Sequence, residues 1–230
     1  MDTGKVKAHG QAGFSLLELL IAMAAMVTIA AAASTLLLSS FNVRSREDQR
    51  SDALADAQRA VNIMTRELAN AGYKLPRGLT YTNASGTSGL VPRNGLLPSD
   101  CDSQSIAYAA NLDAMDGGSG SGNVYGQDEA IKFQFYTDAT GDSFLVRREL
   151  RPGGNTEVLA NRIDGMNVQY LDAAGNDTLA DVTKAVGVRI RVWVNLRATG
   201  SPGSPGYQPA RQVVLNSGVE LHNANLNNTY

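Results

Sequence analysis

The 230-residue chain, 43% hydrophobic, is long enough for one ordinary globular domain with an appendage and too short for two large domains. Its 20 Lys and Arg residues nearly balance 22 Asp and Glu residues, so no strong field marks a nucleic-acid or acidic-substrate binder, and no nucleic acid is expected as a partner. A single cysteine excludes an intramolecular disulfide, and two histidines leave too few ligands for the usual His/Cys metal cages.

The N-terminus combines a short polar segment with a long apolar one. Residues 1–13 carry Lys5 and Lys7, and the 23 residues from Leu19 to Phe41 carry no charge. As a helix this apolar run is about 35 Å long, which is enough to cross a hydrocarbon core of about 30 Å. Because short basic segments favour the cytoplasmic side, the residues after the span are expected to lie outside.

Three kinds of N-terminal segment fit this pattern: a cleaved secretory signal peptide, a simple membrane anchor, and a leader that is removed while the apolar helix stays. A signal peptidase would cut after the apolar core, where Ala31–Ala33 offers small residues. Glu18, however, lies close to the start of the apolar block. A charge near the middle of a spanning helix costs about 2.5–3.5 kcal/mol, and less near an end, so this acid is expected to have a compensating partner.

The segment Gly13-Phe14-Ser15-Leu16-Leu17-Glu18-Leu19-Leu20 resembles the recognition motif of type IV prepilins and of the pseudopilins of type II secretion. A small residue, an aromatic, a hydroxyl, two aliphatics and an acid follow a short basic leader in that order. The resemblance implies that a prepilin peptidase cleaves between Gly13 and Phe14 and methylates the new amine of Phe14. It also implies that the apolar helix stays on the mature protein.

Glu18 is the residue to which this resemblance gives a role in assembly. In the family, the acid faces the free amine of a neighbouring subunit and so sets the axial register. The physical alternative is that Glu18 snorkels or stays protonated near the membrane interface. The alanine-rich runs 22–26 and 30–33 suit close helix packing and a high helix propensity equally well.

Beyond Phe41 the apolar pattern narrows to one stripe. Apolar residues recur at steps of three and four, which predicts an amphipathic helix that continues the apolar one and packs on a sheet. The stripe consists of Leu54, Ala57, Val61, Met64, Leu68 and Ala71. Gly72 is placed to end the helix. The segment Arg66–Tyr73 resembles the helix end of PilW-type minor pilins and, less closely, that of J-type minor pseudopilins.

The remaining chain is loop-rich at first and strand-like afterwards. Residues 74–128 contain Pro and Gly-Ser stretches typical of loops, with a short strand possible at 105–110. From Ala130 the period drops to two, which predicts a hairpin over 130–136 and 144–150. Further strands are predicted at 166–171 and 186–194, followed by a last pair at 213–215 and 219–221.

Residues 159–176 and 185–190 again resemble the C-terminal half of PilW-type minor pilins, whereas the middle of the chain is unmatched. The expected fold is α+β and type IV pilin-like, with a long N-terminal helix packed on an antiparallel β-sheet. The expected segments are a leader peptide at 1–13, a transmembrane and filament-core helix at 14–43, its amphipathic continuation at 44–72, a loop-rich variable region at 73–128 and an antiparallel β-sheet domain at 129–230.

Catalysis has little support in these residues. Cys101 and His222 form the one Cys–His combination of the mature chain, and nothing in the sequence brings them together, so no enzyme activity and no cofactor are predicted. The densest basic cluster, Arg147, Arg148 and Arg151, is interpreted as a solvated strand face.

Two groups of acidic residues have enough oxygen atoms for calcium. They are Asp138 with Asp142, and Asp172 with Asn176 and Asp177. Asp and Asn beside Gly are also what tight turns select, so turn chemistry is preferred and no metal site is predicted.

The resulting expectation is a minor, PilW-type subunit of a type IV pilus that joins a priming complex near the tip. Its expected partners are the prepilin peptidase, other major and minor pilins, and an inner-membrane assembly platform. Before assembly it would be a single-pass inner-membrane protein with a periplasmic domain, and afterwards part of the pilus. The alternatives are a minor pseudopilin of type II secretion and, from another class, an exported or membrane-anchored binding domain.

Overall fold

The structure, a computed structural model, describes residues 15–75, 77–111, 130–150 and 153–224. They form two compact units: one contains the N-terminal residues up to Arg46 and the segment Ala198–Pro209, and the other contains Glu47–Arg197 and the residues from Ala210 onward. In chain order the helix and strands are α1 Leu16–Leu68, β1 Thr80–Thr82, β2 Ser88–Leu90, β3 Ser105–Ala109, β4 Ala130–Thr137, β5 Ser143–Glu149, β6 Thr156–Ala160, β7 Gly165–Leu171, β8 Gly187–Leu196 and β9 Arg211–Glu220.

Within the second unit, the C-terminal part of α1 buries one face against the sheets. The buried side chains include Ala57, Val61, Met64 and Leu68, each less than 5% exposed. The predicted apolar stripe is therefore confirmed, except at its start. Ala53 is buried and Leu54 is only half-buried. The buried stripe therefore begins at Ala53, from which Ala57 and Ala60 follow at steps of four and three.

The strands form three antiparallel sheets. Their orders are β1-β2, β3-β4-β5-β6 and β7-β8-β9. The two larger sheets meet where the Val168 N–H donates to the Ser103 carbonyl at 2.8 Å and the buried Tyr170 hydroxyl donates to the Ser105 carbonyl at 2.6 Å. The predicted α+β fold with a long helix packed on antiparallel β-structure is confirmed, but the strands divide among separate sheets rather than forming one.

Just after α1, the backbone at Gly72 lies in close contact with the backbone of Gly95 and Ala109. Gly72 has φ +77°, and its N–H donates to the Ala109 carbonyl at 2.8 Å. A Cβ on Gly95 would lie 1.9 Å from the Gly72 nitrogen, so neither position has room for a side chain. The helix itself ends at Leu68, four residues before the predicted end at Gly72, and Gly72 lies within the turns that occupy residues 69–74.

Most of the predicted strands are present. The hairpin is β4 with β5, the two middle strands are β7 and β8, and the short strand at 105–110 is β3. The stretch predicted as loop-rich also contains the small hairpin β1-β2, and the predictions omitted β6. The Gly-Ser run at 117–122 lies outside the described residues.

The predicted last strand pair is wrong. Residues 211–220 form one uninterrupted strand that pairs with the whole of β8, from Leu196 opposite Arg211 to Gly187 opposite Glu220. The sequence Asn216-Ser217-Gly218 has the composition of a turn. The continuous ladder with β8 overrides that local preference, and Gly218 lies opposite Arg189 without breaking the strand.

Candidate functional site

The first part of α1 exposes its apolar side chains. Large hydrophobic residues from Leu16 to Val43 are between 41% and 82% exposed, where Val43 and Leu16 mark the two limits. One 18-residue window of this helix has a mean hydropathy of 2.3, and the helix is long and apolar enough to cross a membrane. This surface needs a cover that the described chain does not itself supply.

Three hydroxyl groups of this apolar part hydrogen-bond to the helix itself. Thr28, Ser34 and Thr35 each donate to a backbone carbonyl one turn earlier, at 2.8 Å in all three cases. A hydroxyl that donates to its own helix exposes no unsatisfied donor to hydrocarbon. These three polar residues are therefore compatible with a lipid surrounding.

Glu18 lies in the first turn of α1. It lines a shallow, mainly apolar groove on the helix together with Ser15, Leu17, Ile21, Ala22 and Ala25. None of the ion pairs formed among the described residues includes Glu18. The acid thus stands at one end of a face with small side chains, while Gly13 and Phe14, between which cleavage is predicted, lie outside the described residues.

A second polar cluster joins α1 to the four-stranded sheet. The Tyr108 hydroxyl donates to Glu67 Oε2 at 2.8 Å, and Arg147 Nε lies 3.1 Å and 3.0 Å from the two carboxylate oxygens of Glu67. Burial, and then the Glu67 charge, raise the pKa of Tyr108 well above its usual range. We call Glu67, Tyr108 and Arg147 the helix–sheet cluster.

The helix–sheet cluster corrects one interpretation and adds residues that the sequence patterns did not identify. Arg147 was predicted to lie on a solvated strand face, but its side chain is 22% exposed and faces α1. Arg148 is exposed, as expected for an alternating strand, and Arg151 lies outside the described residues. An acid on the helix and an arginine 80 residues later carry no joint pattern in the sequence, so only the fold brings them together.

The acidic groups considered for calcium are parts of tight turns. Oδ1 of Asp138 accepts the N–H groups of Thr140 and Asp142, both at 2.9 Å. Oδ1 of Asp172 accepts those of Ala174 and Asn176, also at 2.9 Å. The Thr140 hydroxyl also donates to Oδ1 of Asp138, at 2.7 Å. Hydrogen bonds lower the pKa of both carboxyl groups, and the largest cause is the Thr140 hydroxyl for Asp138 and the Asn176 N–H for Asp172.

A third turn of the same kind shows that this turn forms without a charged side chain. Asn83 Oδ1 accepts the Ser85 and Thr87 N–H groups at 3.0 Å and 2.8 Å. All three turns read Asp or Asn, then Ala, any residue and a Gly with φ between +80° and +90°. Among the described residues, no group of three or more His, Cys, Asp or Glu side chains is arranged to hold a metal ion. Turn formation explains these acids.

Cys101 and His222 have different partners. The half-buried Cys101 thiol exchanges two hydrogen bonds of 3.4 Å with the backbone of Ala107, and burial raises its pKa. The exposed His222 ring lies 3.1 Å from the Glu220 carbonyl. A raised pKa keeps the thiol protonated, which is the opposite of what a nucleophile needs.

Comparison with known proteins identifies the N-terminal region. Residues 8–34 match the family model described as the prokaryotic N-terminal methylation motif, a stretch that includes Gly13, Phe14 and Glu18. No curated protein matches the chain. The motif supports a prepilin-like protein, a subunit of the type IV pilin or pseudopilin class, and indicates a structural subunit rather than an enzyme. It implies processing by prepilin peptidase and assembly with other pilins.

Proposed function

We propose that this chain is a minor, PilW-type subunit of a type IV pilus. Its precursor is cleaved between Gly13 and Phe14, anchored in the inner membrane by α1, and then incorporated through the same helix into a priming complex near the pilus tip. The observation that carries the proposal is the uncovered apolar surface of α1 with Glu18 in its first turn, inside the matched methylation motif.

The energetic argument concerns the exposed side chains of α1. Burying one Leu, Ile, Phe or Met side chain contributes about 1.5–3 kcal/mol, and many such residues are exposed between Leu16 and Phe41. A monomer in water would forgo this stabilisation along the entire run. A lipid bilayer covers the run before assembly, and the helices of neighbouring subunits cover it afterwards.

Glu18 gives the apolar helix a preferred position among its neighbours. Cleavage frees the amine of Phe14, which carries a positive charge at the edge of hydrocarbon. The attraction between a carboxylate and an ammonium group is far stronger at low dielectric than in water, and an unpaired charge there is costly, so the subunit is favoured in the register where the Phe14 amine of a neighbour meets Glu18. The small side chains of Ala22 and Ala25 on the Glu18 face leave room for a close approach of that neighbour.

The minor rather than major role rests on resemblance. Residues 66–73, 159–176 and 185–190 resemble PilW-type minor pilins, and the first of these segments contains Glu67 of the helix–sheet cluster. A minor pseudopilin of type II secretion shares the motif and the architecture. The genes beside this one separate the two, because pilus and secretion clusters encode different outer-membrane and ATPase partners.

Sequencing the N-terminus of the processed protein tests the class of function. A mature chain beginning at methylated Phe14 supports the pilin-like proposal. A start near Ser34 would indicate a signal peptide, and an intact Met1 a plain anchor. Either of the last two results favours an exported or membrane-anchored binding domain and contradicts the proposal.

Substitution of Glu18 tests assembly separately from insertion. We expect Glu18→Ala to remain in the membrane fraction at the level of the unmodified protein and to be depleted from sheared filaments, because the helix keeps its apolar length but loses the register contact. Ile21→Val, on the same groove but outside residues 13–20 of the recognition motif, is the matched control and should be incorporated normally. Normal incorporation of Glu18→Ala would refute the register role.

A further inference from the structure

The segment Ala198–Pro209, which connects β8 to β9, packs against α1 within the first unit. We call it the β8–β9 loop. A Cβ on Gly206 would lie 2.6 Å from the Ser39 Cα, and Gly206 has φ +77°, so this contact between two backbones admits only glycine. A Cβ on Gly200 would lie 3.7 Å from the Asn42 amide nitrogen.

Polar contacts hold the β8–β9 loop on the helix. Arg46 is 7% exposed, and its Nη1 donates to the Gln208 carbonyl at 3.3 Å. Thr199 and Gln208 exchange two backbone hydrogen bonds of 2.9 Å, which close the base of the loop. Ser39, Asn42 and Arg46 follow one another at steps of three and four, so the loop covers a single face of α1 over about two turns.

The position of this contact along α1 fixes its depth in a membrane. Ser39 lies inside the uncharged run Leu19–Phe41, two residues or about 3 Å from its end. The run is about 35 Å long and the hydrocarbon core about 30 Å thick, so the end of the run reaches at most about 5 Å beyond the core. A loop touching Ser39 therefore lies where hydrocarbon gives way to headgroups.

The chemistry of the β8–β9 loop suits that depth. Residues 198–209 include no charged side chain. The Ser204 hydroxyl and N–H donate to the Ser201 carbonyl at 2.7 Å and 3.0 Å, and the Tyr207 N–H donates to the Ser204 carbonyl at 3.1 Å, so the loop satisfies part of its own backbone. Half-buried Tyr207 is an amphipathic aromatic of the kind enriched at membrane interfaces.

We propose that the β8–β9 loop is a lipid-contacting surface that lies in the headgroup layer beside α1 before assembly. The proposal rests on the membrane insertion of α1 in the proposed function. The uncharged loop contacts the lipid surface. The exposed Arg44 lies about one helical turn beyond the end of the uncharged run, on the side of the water. The loop thereby makes the anchor wider than one helix at the outer face of the membrane.

Fluorescence quenching by brominated lipid tests this contact in the full chain. Trp193 is the one native tryptophan, so Trp193→Phe supplies a background for single probes. Tyr207→Trp reports on the loop, Phe41→Trp on the inserted helix, and Thr140→Trp on a turn for which no lipid contact is proposed. The vesicles contain phosphatidylethanolamine and phosphatidylglycerol, with and without bromine near the glycerol end of the acyl chains.

We expect Tyr207→Trp to lose emission intensity to brominated lipid as strongly as Phe41→Trp and far more than Thr140→Trp. Adding Gly206→Ala should reduce the loss at position 207, because the new Cβ separates the loop from Ser39. Quenching of Phe41→Trp without quenching of Tyr207→Trp would overturn the loop proposal and leave insertion standing. No quenching at Phe41→Trp would overturn both. The same probe can also be exposed to a water-soluble quencher, both in vesicles and in assembled filaments. If position 207 is protected from that quencher in filaments but not in vesicles, the loop contacts a neighbouring subunit and the lipid contact is overturned.

Discussion

The contribution of the helix–sheet cluster follows from its geometry. Glu67 accepts from the Tyr108 hydroxyl at 2.8 Å and faces Arg147 Nε at 3.0 Å, and the Glu67 and Arg147 side chains are 21% and 22% exposed. Hydrogen bonds to charged groups contribute about 1.5–3 kcal/mol each, and surface ion pairs about 0–1 kcal/mol. At this partial burial we expect Glu67→Ala to lower the free energy of unfolding by about 2–4 kcal/mol. Glu67→Gln keeps an acceptor for Tyr108 and should cost about half as much.

A double-mutant cycle isolates the ion pair. Urea unfolding of the full chain in detergent, followed by emission of Trp193, is measured for Glu67→Gln, Arg147→Gln and the double variant. We expect a coupling of about 1–2 kcal/mol, since the pair is partly shielded from water. The matched control is Asp52–Arg162, which also links α1 to the sheet region at 2.9 Å but is 64% and 53% exposed. Its expected coupling is about 0.2–1 kcal/mol. Equal couplings for the two pairs would refute the reasoning from burial.

Two further predictions concern turns and backbone contacts. The pKa of Asp138 lies below its ordinary value, so its contribution to stability is present above about pH 4 and lost as the pH falls through the lowered pKa. The melting temperature should therefore fall less between about pH 7 and about pH 3 for Asp138→Asn than for the unmodified protein, because Asn retains the Oδ1 acceptor as Asn83 does. An equal fall in melting temperature for the two proteins would contradict this. Gly95→Ala places a Cβ 1.9 Å from the Gly72 nitrogen and should lower the melting temperature markedly, whereas Gly141→Ala meets no neighbouring atom and carries only the strain of its φ of +90°.

Periodicity alone predicted the elements that have one buried face. In β8, Val188, Ile190, Val192 and Val194 are all buried and alternate with more exposed residues, so a period of two identifies the strand without further information. β6 was missed because the strand has only five residues, three of them exposed, and lies at the edge of its sheet. Short edge strands carry little periodic signal.

The three tight turns could be predicted from local sequence, because they share an Asp or Asn, an Ala and a Gly at fixed spacing.

Contacts between distant segments cannot be predicted from a single sequence. Glu67 with Arg147, and Arg46 with Gln208, are separated by 80 and 162 residues. Such pairs depend on the arrangement of the sheets and the β8–β9 loop, so they become identifiable only from the folded chain.

The two parts of α1 place different demands on their surroundings. The part that carries Met64 and Leu68 is covered by its own sheets, so its packing is fixed when the chain folds. On the proposed function, the part from Leu16 to Phe41 is covered by lipid at first and by other helices later. Lipid tails and helix surfaces are similarly apolar, so hydrophobic burial changes little in that transfer and cannot select a register. Selection must come from polar contacts and close packing, and the proposed pairing of Glu18 with the Phe14 amine of a neighbour supplies the polar contact.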